Sequence, residues 1–530
     1  MSFAQESAPA AAAKRNLAVT GVMMVIFLFA IDATIVSTAM PTIVAKLGGL
    51  ELYSWVFSIY MLTSALTTPL FGKLSDLFSR RQLMLIGIGV FVVGSTLCGA
   101  AQSMEMLVVF RAIQGLGGGA IYALAFIVVG VLFPAAMRAK MQGIISSIWG
   151  IASILGPLAG GLIVEHTSWR WAFFVNLPIT AVAVAFIVVG LEEEQGERRA
   201  PKLDLKGSAA LLLALLLLFY ALAKNAHSMQ PLNFATAGII AMAALVMAVF
   251  FFIERRAEEP IIPLDLFQLS LFRTSAGIAA LASMGVFGAV SYLPLYLQGV
   301  LGLMPSRAGM VLLLLSLGWT VGSLLAGQLI NRLGYRFVSA AGMILLALGF
   351  AFFVVATGQV GIITVLISAA MIGIGMGLAN LTTLVAAQTA VWTHRIGVAT
   401  STVMLFRTFG GAFAVSLMGM VLLNHMQGGL SRLGVAAQNG LSPALMHKLA
   451  HPQNLLEPAT RAQIPPELLP KLVSVLADSI WYAFAVALGL MVIGIILSFF
   501  MSVYTPAETP RPAAAPGSPQ NPESSVDSGR

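Results

Sequence analysis

Cysteine occurs once in the 530 residues. Cys98 lies in an apolar run, so the chain offers no intramolecular disulfide and no cysteine metal cluster. Charge is nearly as scarce. Charged residues make up 9% of the chain and hydrophobic residues 58%, whereas soluble domains carry about 25% charge; an ordinary soluble fold is excluded. Asp and Glu are absent altogether from Leu266 to Leu456. Alternating segments of ~10 residues are lacking, which excludes a membrane β-barrel. No phosphate-cradling glycine loop follows a strand, which argues against ATP as an energy source. The histidines sit near predicted span ends or in loops without metal spacing, and no nucleophile–base arrangement stands out, so an enzyme is not expected. The net charge of +8 does not mark nucleic-acid binding, because the basic residues are scattered over short loops.

Long apolar runs recur from end to end. Each can cross about 30 Å of hydrocarbon as a helix, and backbone groups in lipid must bond internally. The fold class is therefore all-α integral membrane. Spans are predicted near 17–40, 52–71, 83–101, 106–131, 140–164, 171–190, 207–224, 232–253, 272–298, 306–330, 337–357, 360–389, 397–424 and 479–503, fourteen in all. The first run is too long for the apolar core of a signal peptide and carries Asp32, so it reads as a retained span. Residues 1–15 read as a flexible start. Charged connectors separate the spans at 192–206 and 254–270. Residues 425–478 read as an outer loop, in which Leu468 to Leu476 forms either a short interfacial helix or part of an inert loop. The Pro- and Ser-rich 504–530 reads as a disordered tail. With both termini inside, 19 Lys and Arg fall on the inner side and eight on the outer, which fixes the orientation by the positive-inside rule.

Asp32 is the only carboxylate well inside a predicted span. Such a group costs roughly 2.5–3.5 kcal/mol and commonly marks an ion or proton pathway. Its expected partner is Arg111. Helical rise puts Asp32 about 12 Å and Arg111 about 8 Å from the outer ends of their spans, so the depths match. The pair reads either as a proton-coupling site or as a static buried salt bridge. Arg407 has no acid in its half to pair with; it either lines a cavity for an anionic group or bonds backbone carbonyls. Asn176, Asn380 and Gln388 are neutral polar residues in spans and read first as interhelical hydrogen bonders and second as substrate contacts, which adds Asn176 and Asn380 to the cavity candidates. Tyr60, Tyr122, Trp149, Tyr292, Tyr296, Trp319 and Phe406 are the aromatic candidates for a substrate cavity.

Gly72 to Arg81 is a charged island between two apolar runs. A degraded copy stands at Gly327 to Arg336, where Asn331 replaces Asp76. A repeated loop suggests two related halves, a common build in transporters. Gly115/Gly119 and Gly156/Gly160 have the spacing that lets helices approach closely, and Pro157 can kink its helix.

With these motifs on view, the chain resembles the major facilitator superfamily, of the fourteen-span drug:proton antiporter type. Ile31 to Pro41 resembles that type's first-span signature, Gly72 to Arg81 the superfamily's loop motif, and Arg111 to Gly119 its fourth-span motif. Gly156, Pro157, Gly160 and Gly161 resemble the fifth-span motif of exporters. Trp169 to Trp171 with Phe174, Asn176 and Pro178 is similar to a sixth-span signature. The resemblance implies a six-helix bundle over 16–190, a linker with two extra spans over 191–271, and a second six-helix bundle over 272–503. It implies proton-coupled export of amphipathic compounds across the cytoplasmic membrane. The rival readings are an exporter for one metabolite class and a non-transporting membrane sensor. Asp76, with Arg80 and Arg81 beside it, would hold an inner gate against a facing helix end. Leu77 and Ser79 depart from the loop motif, at positions where a basic residue and glycine are common. The implied partners are the lipid bilayer, small amphipathic substrates and protons, with no further cofactor; a periplasmic adaptor stays open.

Overall fold

The computed structural model describes residues 8–48, 52–191, 204–228, 234–257, 260, 262–355, 361–436 and 464–501. Among them there are helices and no strands. In the first half the helices are α1 (Ala8–Leu47), α2 (Tyr53–Leu77), α3 (Arg80–Ala100), α4 (Met104–Leu132), α5 (Ala135–His166), the single turn α6 (Trp171–Phe174) and α7 (Asn176–Gly190). Then come α8 (Leu205–Ser228) and α9 (Phe234–Glu254). The second half holds α10 (Ser270–Leu295), α11 (Pro305–Val355), α12 (Ile362–Thr389), α13 (Ile396–Ala436) and α14 (Leu469–Phe499). Eleven helices among the described residues are long and apolar enough to cross a membrane.

The starts of α3 and α4 are written in their serines. Ser79 accepts from the Gln82 N–H and Ser103 from the Met106 N–H, each meeting an orphan donor of the first turn. The second copy of the loop motif turns differently. Gly334 occupies the place of Ser79 and takes φ 77°, a left-handed conformation that glycine adopts without strain. That residue breaks α11 into the two predicted segments. The serine at position 79 is thus no defect in the motif: its φ of −56° needs no glycine, and its side chain caps the next helix.

Several boundaries move. Residues 8–15 are helical, so α1 begins inside the segment read as a flexible start; residues 1–7 of that segment lie outside the described residues. The outer loop is shorter than 425–478, because α13 runs on to Ala436 and α14 begins at Leu469. Leu468 to Leu476 is therefore neither an interfacial helix nor loop but the first turns of α14 and their cap. Residues 437–463, most of the first connector and the tail 504–530 lie outside the described residues.

Packing groups the helices by half. Helix α4 lies against α2 and α3, and α1 against α5 and α7. Across the chain α10 packs on α13, α11 on α14, and the segments of α11 on α12. The halves meet where α5 touches α11 and α2 touches α13. Helix α8 packs on α9 and reaches both α2 and α13, in an apolar cluster that joins Leu66 to Leu211, Leu215, Phe250 and Leu405.

Lipid gives helices no hydrophobic reason to associate, so close contact between small residues does that work. A Cβ on Gly119 would strike the Ser64 carbonyl of α2, and one on Gly156 the Thr34 side chain of α1. Gly160 sits against Ile35 and Thr38 of α1, whereas Gly161 has open space around it. Pro157 lies within α5; its side chain is outside those described. Gly119→Ala should lower thermal stability in detergent, by about 1–3 kcal/mol of overpacking. Gly161→Ala should leave the melting temperature within error or raise it, since alanine favours helix by about 1 kcal/mol.

Candidate functional site

Three groups of side chains stand out, all built on helices from different parts of the chain. The first is a buried ion pair. The Arg111 Nη1 of α4 donates to Asp32 Oδ2 of α1 at 2.6 Å, with the two side chains 1% and 0% exposed. Arg111 Nη1 also donates to Gln114 Oε1 at 2.7 Å and its Nε to the Val56 carbonyl at 3.3 Å. The guanidinium lies 4.0 Å from the Tyr60 ring centroid. On the acid's other oxygen, Gln114 Nε2 donates at 2.8 Å and Asn176 Nδ2 of α7 at 3.0 Å. Asn176 further donates to Ser95 Oγ, and Ser95 to the Phe173 carbonyl. A charge pair in lipid is tolerable only when its remaining donors and acceptors are met, and five helices cooperate to meet them. Gln114 follows Arg111 by three residues, so both project from one helix face; that spacing is the sequence signal for Gln114.

The second group closes the seam between the halves at the face that carries the α2–α3 turn. Asp76, near the end of α2, accepts from the Gly397 and Val398 N–H groups at 2.9 and 2.8 Å. Those N–H groups open α13, where orphan donors and the helix dipole favour an acid. The approach depends on glycine: a Cβ on Gly72 would strike Ser401, and one on Gly397 the Gly72 carbonyl. Arg80 and Arg81 form the first turn of α3 beside this contact. Burial pushes the Asp76 carboxyl up to about 7, against the two backbone bonds, Arg80 and Lys73, which favour the charged form. An Asp76 freed into water would return to an ordinary carboxylate value. The closed contact therefore binds a proton more tightly than an open one, and closure gains as pH falls through 7. Spin labels at Phe78 and Thr393 should show the short-distance fraction rising from pH 8 to pH 6.

A further seam contact on α5 and α12 was not expected. Arg138 donates to the Gln388 carbonyl at 3.2 Å. Gln142 donates to the Phe126 carbonyl at 2.9 Å and to Gln388 Oε1 at 3.3 Å, and Gln388 donates to Thr400 Oγ1 at 3.0 Å. Gln388 is an interhelical hydrogen bonder, and its partners bind one half of the chain to the other.

The third group surrounds a central cavity of about 20 Å³. Tyr122, Trp149, Trp319, Asn380 and Arg407 line it, together with Phe126, Ser146 and Ser323. Tyr122 stacks on Phe29 at 4.9 Å, and Trp149 meets Phe29 edge-on at 5.7 Å. Arg407 lines the cavity and donates to the Asn380 carbonyl. Five expected cavity residues do not line this cavity. Tyr60 lies under Arg111, Asn176 holds Asp32, the Tyr292 hydroxyl donates to the Val415 carbonyl, and Phe406 packs on Phe267. Tyr296 likewise packs on Phe353. Among the described residues no group of three or more His, Cys, Asp or Glu could hold a metal ion.

An all-helical membrane chain with a repeated loop and two halves meeting at glycine-lined seams defines a class, and sequence comparison agrees with it. The family model of the Major Facilitator Superfamily matches residues 22–226 and 207–415. The chain belongs to that superfamily. Multidrug transporter protein MdtP of Bacillus subtilis (strain 168) is 33% identical over 505 residues, covering 92% of this chain and 93% of that one. Multidrug resistance protein 3 of the same organism is 32% identical, covering 94% and 98%. Among solved structures, the human organic anion transporter MFSD10 (TETRAN) aligns over 91% of this chain and 99% of its own, with a TM-score of 0.61 at 15% identity; that likeness bears on fold alone.

Proposed function

We propose that the protein is a proton-coupled antiporter that exports amphipathic organic compounds across the cytoplasmic membrane by alternating access. The observation that supports the proposal is the Asp32–Arg111 pair, an intramembrane acid sealed with its counter-charge among five helices (α1, α2, α3, α4 and α7) that all belong to the first half of the chain. Relatives of nearly full length bear multidrug names, which supports drugs as substrates. The span count of this reading is fourteen: α11 crosses twice about Gly334, and α2 and α8 join the apolar helices. Its domains are two six-helix bundles bridged by α8 and α9, with both termini in the cytoplasm.

The proton step follows from the bonds around Asp32. When Asp32 is charged, Arg111 and the two amides hold it. When it takes a proton, Arg111 keeps Gln114 Oε1 and the Val56 carbonyl as acceptors. The cation is thus never wholly stranded, and the acid can cycle. Both side chains are sealed in this arrangement, so exchange with water needs the halves to tilt. The Asp76 contact and the Gln388 cluster close the cytoplasmic face, and opening them would turn the cavity inward. Purified protein in proteoliposomes tests the reading: at least one of ethidium and 1-naphthoate should accumulate against its gradient when a pH gradient is imposed and stop when an ionophore dissipates it. Movement indifferent to the pH gradient would defeat proton coupling.

A further inference from the structure

The centre of the molecule carries a positive charge that its own half does not neutralise. Arg407 is 8% exposed and lines the cavity. No Asp or Glu lies between Leu266 and Leu456, and the second half gives Arg407 no ion pair among the described residues. The one intramembrane acid of the first half is committed to Arg111. Arg407 donates to the Asn380 carbonyl, yet its Nε has no partner among the described residues. Asn380 Oδ1 and Ser323 Oγ on the same cavity are also unpartnered, on side chains 7% and 1% exposed. Unmade hydrogen bonds on buried polar atoms are costly, and a buried charge without a counter-ion more so. The planar guanidinium fork matches a carboxylate in geometry and sign. Tyr122 and Trp149, edge to face with centroids 6.3 Å apart, line the same cavity together with Trp319.

We propose that this cavity binds amphipathic organic anions, namely aromatic carboxylates, with the acid on Arg407 and the ring among Tyr122, Trp149 and Trp319. The Ser323 hydroxyl serves as a second donor to the acid. The inference rests on the export reading and narrows its substrates. A cationic compound in the same place meets a like charge in a water-poor site, where repulsion is strong. About 20 Å³ of free space holds little more than one water, so the ring enters only when the halves part.

The test uses three probes with one ring: 1-naphthoate, 1-naphthylmethylammonium and neutral 1-naphthamide. Binding to the purified full-length protein is read by calorimetry and by quenching of tryptophan emission. Naphthoate should bind at least about tenfold more tightly than the ammonium compound, the gain of one charge-assisted contact. Arg407→Gln should lose that advantage, and Arg407→Lys should keep part of it. Ammonium binding equal to or tighter than naphthoate, or no binding of either, overturns the proposal, and so does full naphthoate affinity in Arg407→Gln. Should Arg407→Gln fail to fold, the wild-type ratio decides alone. Export of ethidium on a pH gradient without naphthoate binding removes the anion preference and leaves the exporter standing. Absence of gradient-driven movement for every compound removes the export reading itself.

Discussion

Asp32→Asn should abolish pH-gradient-driven export and also weaken the fold. The two effects have separate causes. Export fails because asparagine cannot carry a proton. The fold weakens because Arg111 is left buried without a counter-charge, at a cost of about 3–5 kcal/mol when one partner of a buried pair is removed. Arg111 is 1% exposed and cannot escape to water. Gln114 and the Val56 carbonyl retain their bonds to it, so the loss should fall at the low end and leave an inserted protein. Proteoliposome transport measures the loss of export and thermal unfolding in detergent the loss of stability. A variant that melts like wild type would mean the pair contributes little to the fold.

Asp76→Ala should open the seam between α2 and α13. It strands the Gly397 and Val398 N–H groups, which now donate to the carboxylate at 2.9 and 2.8 Å. A buried donor left unpaired costs about 1–3 kcal/mol, so losing both should shift the closed population by more than about tenfold. Asp76→Asn keeps one acceptor oxygen and should fall between. Spin labels at Phe78 and Thr393, both exposed, report the separation directly. Closed-state distances unchanged in Asp76→Ala would assign the closure to the Arg138–Gln142–Gln388 contacts instead.

How much of this was legible beforehand depended on what each contact is made of. Asp32 and Arg111 stood out because charge is so rare in these spans, and matching depth sufficed to pair them. Gln114 could have been added from its place three residues after Arg111. Asn176 could not, because nothing local says that α7 approaches Asp32. The Asp76 latch was readable on one side alone: its partners are backbone N–H donors at Gly397 and Val398, and a backbone donor has no letter. The Gln388 cluster was invisible for a similar reason, since Arg138 and Gln142 lie on another half of the chain. Aromatic type likewise did not say where a ring would rest, which is why Tyr60 and Tyr292 were misplaced. Helix ends drifted because hydropathy marks the apolar window that fits the bilayer, while α1, α13 and α14 continue past it. At Gly334 and Ser79 the residue types themselves told the story, one permitting a left-handed turn and the other capping a helix.

The central claim is that Asp32 moves protons and does more than hold Arg111. The double variant Asp32→Asn/Arg111→Gln tests it most directly, because it removes both charges together and spares the fold the stranded cation. Its melting temperature should recover toward wild type while efflux of the compound that the wild type exports no longer responds to an imposed pH gradient. Restored gradient-driven efflux in that protein would contradict the account and make the pair a structural brace.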